Sequence, residues 1–396
     1  MTNQYDFDTI VDRRTSGNSY KWEGMKSAMK ENAGNVLAVS TADMDFLTAT
    51  KIVERLRESA RREIFGYTCP TNEYYDAIVN WMQRRHQWRI EKESIALAPG
   101  IVSALTYLIH ALTEPGDGIV IQPPVYPPFA RTIRVLGREQ ISNPLVNANG
   151  CYSIDFDDLE QKAARKNAKL MILCSPHNPV GRVWLRAELE QVADICLRHD
   201  VFIISDEIHF DIVFPPHRHT VFPTLDRDLQ NRCVVCTSPS KSFNIAGLQV
   251  SNIVIPNREI RQKYVDAALY CGFNALNTLA FPACIAAYNE CEDWFDKALK
   301  YIRQNDQLVR DVLGQRLPNV VISPLQATYL QWLDFSRLGF DALTLRQFLR
   351  EKAGVFFDDG FLFGDEGKQF ERFNLAYPRA VIEEVVRRVA KAANCK

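Results

Sequence analysis

Apolar residues along the chain follow two rhythms, and the change between them divides it. Over 49–63 they recur at helical spacing, with Ile52, Val53, Leu56 and Ala60 on one face, and over 73–86 Tyr74, Ala77, Ile78 and Trp81 do the same. A turn-like joint, Gly66-Tyr67-Thr68-Cys69-Pro70, separates these two helices and leaves Tyr67 exposed. From residue 95 the rhythm shortens. The segments 95–98, 118–122, 169–174, 201–205, 233–237 and 250–255 are short and several are nearly continuous in apolar character, while helical stretches such as 101–112 and 186–199 separate some of them. Strands of that kind are buried on both faces, so the pattern predicts an α/β fold with a largely parallel sheet between layers of helices.

Helical spacing then occupies 258–271 and 276–313, with a break between 290 and 293. After it the character changes again: strands at 320–322, 328–333, 355–357 and 372–375 mix with helices at 344–352 and 379–393, as in a smaller α+β domain. The N-terminal part through 36–46 reads as an extended arm followed by one buried strand. The expected division is therefore an arm and part of the small domain over 1–48, a large domain over 49–288 and a small C-terminal domain over 289–396.

Composition narrows the function classes. A chain of 396 residues can bury more than one core. Its 47 basic and 48 acidic residues give a formal net charge of -1 with no long run of one sign, so neither nucleic acid nor a membrane surface is an expected partner. Residues 1–10 are polar and acidic, with no sign of a secretory signal, and no stretch approaches the roughly 18 consecutive apolar residues of a membrane span. Ten scattered cysteines read as reduced thiols of a cytoplasmic protein. For Cys233 and Cys236 a structural place in a strand is preferred to a redox or metal role, and His217 and His219, among prolines, read as a solvated loop. Packing is likewise preferred to pocket lining for Tyr20, Trp22 and Phe361.

The candidate chemistry lies just beyond the strands. Ser238-Pro239-Ser240-Lys241-Ser242-Phe243-Asn244 follows the apolar run Val234-Val235-Cys236, Asn178 follows the strand ending at Cys174, and Asp206 follows the one ending at Ile204. In an open parallel sheet, ligands bind outside the carboxyl ends of the strands, so these residues converge on one crevice. Their types suit pyridoxal phosphate. A lysine amine can hold its aldehyde covalently, a carboxylate keeps the ring nitrogen protonated, and an aromatic ring such as Tyr126 can stack on its face. Donors for the phosphate are Ser238, Ser240 and the backbone N–H groups of Ile101 and Val102, which open a helix after Gly100. Arg372 can clamp a substrate carboxylate in a bidentate fork.

The set Asn178, Asp206, Ser238-Pro-Ser-Lys241 and Arg372 resembles the fold-type I, aspartate-aminotransferase superfamily of pyridoxal-phosphate enzymes. More narrowly, Ala42-Asp-Met-Asp-Phe46, Gly66-Tyr-Thr68, Pro124-Val-Tyr-Pro-Pro-Phe129, His177-Asn-Pro-Val-Gly-Arg-Val-Trp184, Ser205-Asp-Glu-Ile-His209, Ser238-Pro-Ser-Lys-Ser-Phe-Asn-Ile-Ala-Gly247 and Ala327-Thr-Tyr-Leu-Gln-Trp-Leu-Asp334 are similar to the MalY/PatB family of carbon–sulfur β-lyases. The resemblance implies a seven-stranded, mainly parallel sheet in a large cofactor-binding domain and a homodimer. It implies that Lys241 anchors the cofactor and moves the Cα proton, that Asp206 pairs with the ring nitrogen, and that Asn178 bonds the ring hydroxyl beneath a stacked Tyr126. His209 would stand beside the ring hydroxyl, Tyr67 would reach the cofactor phosphate of the neighbouring subunit, and Arg372, assisted by the backbone around Ala42 and Asp43, would hold the substrate carboxylate. Two departures from many aminotransferases stand out: Gln249 replaces a phosphate-binding arginine, and Phe356-Phe357-Asp358-Asp359-Gly360 differs from the serine- or proline-containing version of that segment. The implied activity is β-elimination of L-cystathionine or other cysteine S-conjugates. An aminotransferase and a regulatory protein-binding role on the same scaffold are the alternatives.

Overall fold

A computed structural model describes residues 5–15, 18–226 and 228–394. Part of the polar start read over 1–10 and the outermost ends of the expected arm and small domain lie outside these residues. The large sheet has seven strands in the order Ile95–Ala98, Ser251–Val254, Cys233–Thr237, Phe202–Asp206, Ala168–Cys174, Gly118–Ile121 and Glu139–Ser142. All neighbours are parallel except Ser251–Val254, which runs antiparallel to both of its partners. The reason is the connection. Parallel neighbours need a long crossover, usually a helix, whereas the chain between Thr237 and Ser251 holds only the short helical turn Ala246–Leu248 and returns directly.

The continuous apolar character of the central strands follows from burial on both faces. Along Ala168–Cys174, Leu170 and Ile172 pack into one apolar cluster with the helices Ile101–Leu112 and Arg258–Tyr270, while Met171 and Leu173 pack into another with Arg186–Arg198. Cys233 and Cys236 sit three positions apart on one strand and are buried in these opposite clusters, so they cannot share a ligand. A third cluster joins the helices Asn72–His86, Ala280–Glu290 and Glu292–Arg316 to the strands of the C-terminal part. The break expected between 290 and 293 falls at Cys291, between the last two helices.

Elements without an apolar rhythm escape the sequence reading. The edge strand Glu139–Ser142 buries only Ile141 fully, the helix Phe156–Ala163 is capped by Asp155 but buries only two residues, and the helix Pro128–Val135 begins on a proline of what reads as a loop. Much of the expected extended arm is a helix, Tyr20–Met29. In the C-terminal part, Val321–Ile322, Leu330–Asp334, Phe370–Asn374 and Asp358–Asp359 form an antiparallel sheet in that order, whereas Val355–Phe356 pairs in parallel with Leu37–Ala38 of the arm. His219 corrects the solvated-loop reading. Its Nε2 lies 2.6 Å from Glu207 Oε2, and both side chains are buried because the loop folds back over the Glu207 carboxylate, which also accepts from Ser205 and the Phe222 N–H.

Candidate active site

Three parallel strands end flush. Cys174 pairs in register with Asp206, and Asp206 with Cys236, so the segments that follow these strands leave the sheet side by side. They deliver Asn178, Asp206 and Lys241 to one cleft of about 470 Å³. Gly100, Ile101, Val102, Tyr126, His209, Ser240, Ala42 and Arg372 line the same cleft.

At its floor, Lys241 Nζ donates to the carbonyl of Ala42 at 2.6 Å, and Tyr329 Oη donates to the same oxygen at 3.0 Å. Burial lowers the Lys241 pKa to about 8, and the Arg372 cation pushes in the same direction, against the opposing pull of Asp43 and Asp206. Asp206 is 3% exposed; burial raises its pKa to about 7, and the Ile208 N–H at 3.1 Å offsets only part of that cost. Such a carboxylate gains from a cationic partner. Burial, with Lys241 and Arg372 adding to it, holds His209 well below the ordinary histidine pKa, so its ring is neutral; its buried Nδ1 has no hydrogen-bond partner among the described residues.

Arg372 reaches the cleft from the strand Phe370–Asn374. Its Nη1 donates to Asn178 Oδ1 at 3.0 Å, which leaves the Asn178 amide NH₂ as a donor, and its guanidinium lies over the Phe363 ring, 4.8 Å from the centroid. Its Nε and Nη2 both bond Asp358 Oδ2, the first at 3.2 Å. At the other end of the cleft, the helix Ile101–Leu112 begins directly after Gly100. The first backbone bond back to Gly100 comes from Ala104, so the N–H groups of Ile101, Val102 and Ser103 are, among the described residues, the unpaired donors of a first helical turn.

Three expected residues lie elsewhere. Ser238 is fully buried and does not line the cleft: its hydroxyl donates to the Val250 carbonyl at 2.6 Å and accepts from the Ser240 N–H at 3.0 Å, bracing the loop instead of facing a ligand. The Asp43 carboxylate also lies off the cleft, held by Arg13 at 2.7 Å and the buried Lys21 at 2.8 Å. Tyr67 is fully exposed and stands outside the cleft of its own chain.

Sequence reasoning missed Arg131 and Phe363, which line the cleft, and left Asp358 without a role. The departure of the 356–360 segment was the one signal for Asp358. Tyr20 corrects the preference for packing: it is exposed at the cleft because the arm helix begins there, whereas Trp22 packs near Met25, Met29, Val36 and Ala38.

The residues present fit pyridoxal phosphate. An amine of lowered pKa, a buried carboxylate short of donors, an amide donor, an aromatic face and an open helix N-terminus match its aldehyde, ring nitrogen, ring hydroxyl, ring and phosphate in turn.

Comparison with known proteins gives consistent findings. The family model described as aminotransferase class I and II matches residues 34–389. Cystathionine beta-lyase PatB of Bacillus subtilis (strain 168) is 40% identical over 381 residues, covering 96% of this chain and 98% of the relative. Protein MalY of Escherichia coli (strain K12) is 33% identical, covering 96% and 97%. Among solved structures, cystalysin from Treponema denticola, which contains a pyridoxal 5'-phosphate cofactor, superposes with a TM-score of 0.96 at 40% identity over 99% of both chains.

Proposed function

The chain belongs to the MalY/PatB family within the class I and II aminotransferases, and on that premise we propose that it is a pyridoxal-phosphate-dependent carbon–sulfur lyase acting on L-cystathionine or related cysteine S-conjugates. The observation that carries the proposal is the meeting of Lys241, Asp206, Asn178 and Arg372 in one cleft at flush strand ends. The family resemblance to proteins named as lyases selects elimination over amino transfer.

The bound cofactor supplies an electron sink for the pair left at the substrate Cα. It would be held by the Lys241 amine, with Asp206 at the ring nitrogen, Asn178 at the ring oxygen, Tyr126 on the ring face, and Ser240 and the first N–H groups of the Ile101–Leu112 helix at the phosphate. Arg372 binds and orients the substrate α-carboxylate. Once the substrate amino group displaces it, Lys241, whose pKa burial lowers to about 8, takes the Cα proton as a neutral amine. The Cα–H and Cβ–S bonds break, the sulfur leaves as thiolate and takes up a proton, and one water converts the remaining three-carbon fragment to pyruvate and ammonium.

In this reading residues 49–288 form the cofactor-binding domain, 289–396 the small domain that carries Arg372, and 1–48 the arm. A homodimer completes the site, with Tyr67 reaching the phosphate in the partner subunit. The exposed apolar side chains of Ile64, Phe65 and Tyr67 on one short segment support a surface that a second copy covers. Every described cysteine is a free thiol, which supports a cytoplasmic setting.

Incubating the cofactor-loaded protein with L-cystathionine alone tests the proposal. Pyruvate and homocysteine should accumulate together, in equal amounts, over many turnovers. Turnover that starts only when a keto acid is added overturns elimination in favour of amino transfer.

A further inference from the structure

The groups of the proposed reaction leave Asp358 unused, yet it contacts the residue assigned to the substrate carboxylate. Its Oδ2 accepts from Nε and Nη2 of Arg372, the first at 3.2 Å, and from the backbone N–H of Thr41 at 2.9 Å. These bonds occupy the side edge of the guanidinium. Nη1 is bonded to Asn178, and the end of the fork, between Nη1 and Nη2, keeps one donor on each nitrogen for a ligand. Asp358 lines the cleft with its side chain 22% exposed, while Arg372 is 6% exposed. All three bonds to Asp358 go to Oδ2, and its Oδ1 takes no hydrogen bond among the described residues.

A fixed anion against Arg372 has two physical consequences. It cancels much of the positive field that attracts the α-carboxylate, so carboxylate binding alone gains less here than at an isolated arginine. It also leaves an anionic oxygen at the wall of the cleft, where a cation on the substrate gains and a second anion loses. At the few-ångström separations inside such a cleft, one unit of charge changes affinity by at least about tenfold.

We propose that Asp358 is a specificity-determining residue, selecting sulfur amino acids whose far end carries an ammonium group over those that end in an alkyl group or a carboxylate. The inference rests on the reading of Arg372 as the α-carboxylate seat of a carbon–sulfur lyase. It deepens that reading by naming the substrate class: thioethers with a second amino group; cystathionine, whose far end carries both an ammonium and a carboxylate, gains from Asp358 through the ammonium alone. Arg131, which lines the same cleft and donates no side-chain hydrogen bond among the described residues, favours the opposite charge, but it is the same in wild type and Asp358 variants, so the change in the probe ratio between them is what reads Asp358.

The test uses three probes that share the reacting half and differ at the far end: S-(2-aminoethyl)-L-cysteine, S-propyl-L-cysteine and S-(2-carboxyethyl)-L-cysteine. The ratios of kcat/KM among them are measured first in the wild-type holoenzyme. Asp358→Asn keeps an acceptor for Arg372 and removes the charge. It should lower the ratio of aminoethyl to carboxyethyl substrate by about tenfold or more, and Asp358→Ser should move it the same way. A ratio unchanged in both variants overturns the proposal, as does an equal loss on all three probes, which would leave Asp358 a support for Arg372 alone. If the wild type releases pyruvate neither from them nor from L-cystathionine, the lyase reading fails. The same ratio is then read from dissociation constants by the absorbance change of the bound cofactor, and its dependence on Asp358 decides the inference separately.

Discussion

Lys241 Nζ and the carbonyl oxygen of Ala42, 199 positions apart in the chain, are 2.6 Å apart. The contact ties the loop after the central strand Cys233–Thr237 to the segment that follows the arm strand Leu37–Ala38, and it aims the amine into the cleft. The Met44 N–H donates to Asn244 Oδ1 and Asn244 Nδ2 to the Phe46 carbonyl, so the two segments are joined again three residues beyond the lysine. Replacing Lys241 with alanine should abolish detectable turnover, a loss of at least about 10² to 10⁴ for the proton transfer alone. The cofactor should then wash out on gel filtration, because its covalent anchor is gone. Steady-state pyruvate release and the cofactor content of the eluted protein check both effects.

Asp206 and Lys241 give the cofactor-free protein a specific pH profile. A buried carboxyl at about 7, against an ordinary 3.8, binds a proton in the folded state that the unfolded chain has released, so stability should fall as pH rises from about 4 to 7. Lys241, at about 8 against 10.5, has the opposite sign: the unfolded chain holds the extra proton, and stability should rise between about 8 and 10.5. Denaturant midpoints across this range should show the acid-side slope in the wild type and its loss in Asp206→Asn. Added cofactor should also reduce that slope by giving the ionised carboxylate a cationic partner.

Arg372 holds Asn178 and Asp358 at once, through a fork that lysine cannot reproduce. Arg372→Lys should raise KM for every amino-acid substrate by about 10- to 100-fold, the worth of a charged hydrogen bond. Its effect on kcat should be smaller. Initial-rate kinetics separate the two.

Behind the cleft, the buried Asp211 carboxylate accepts from Trp81 Nε1 at 3.0 Å and Ser242 Oγ at 2.6 Å, and lies 2.7 Å from His86 Nε2. Asp211→Ala would strand these donors in an apolar surrounding. It should cost on the order of 2–4 kcal/mol of stability, read from equilibrium unfolding, because each unpaired buried group carries its own desolvation penalty.

Tyr67 gives a test of the proposed dimer. Lys241→Ala subunits lack the anchor, and Tyr67→Ala subunits lack the group donated across the interface. Mixed under exchange conditions at limiting cofactor, they should form hybrids with one complete site and recover up to about one quarter of wild-type activity. No recovery beyond the sum of the separate variants counts against a site shared between subunits.

Local chemistry made much of this legible. The central strands read from the sequence because burial on both faces leaves a continuous apolar run, as in Leu170-Met171-Ile172-Leu173, and the helix Asn72–His86 because its inward residues keep a helical spacing. Glu139–Ser142 was hidden because an edge strand with two exposed polar residues has no run to show. The arm helix Tyr20–Met29 buries Lys21 beside Met25 and Met29, a mixture without a clear apolar face.

What the sequence determined by itself was the chemistry available and its place along the chain: an amine, a carboxylate and an amide after successive apolar strands, which the parallel-sheet rule brings to one edge. Only the tertiary structure decided which groups point into the cleft. Ser238 carries the right atom but turns away, because the Val250 carbonyl claims its hydroxyl. Asp358 comes to rest on Arg372 because two short antiparallel strands, Asp358–Asp359 and Phe370–Asn374, set them directly opposite each other. A side chain's periodicity is written in its neighbours along the chain, but its partner is set by the packing of residues far away in sequence.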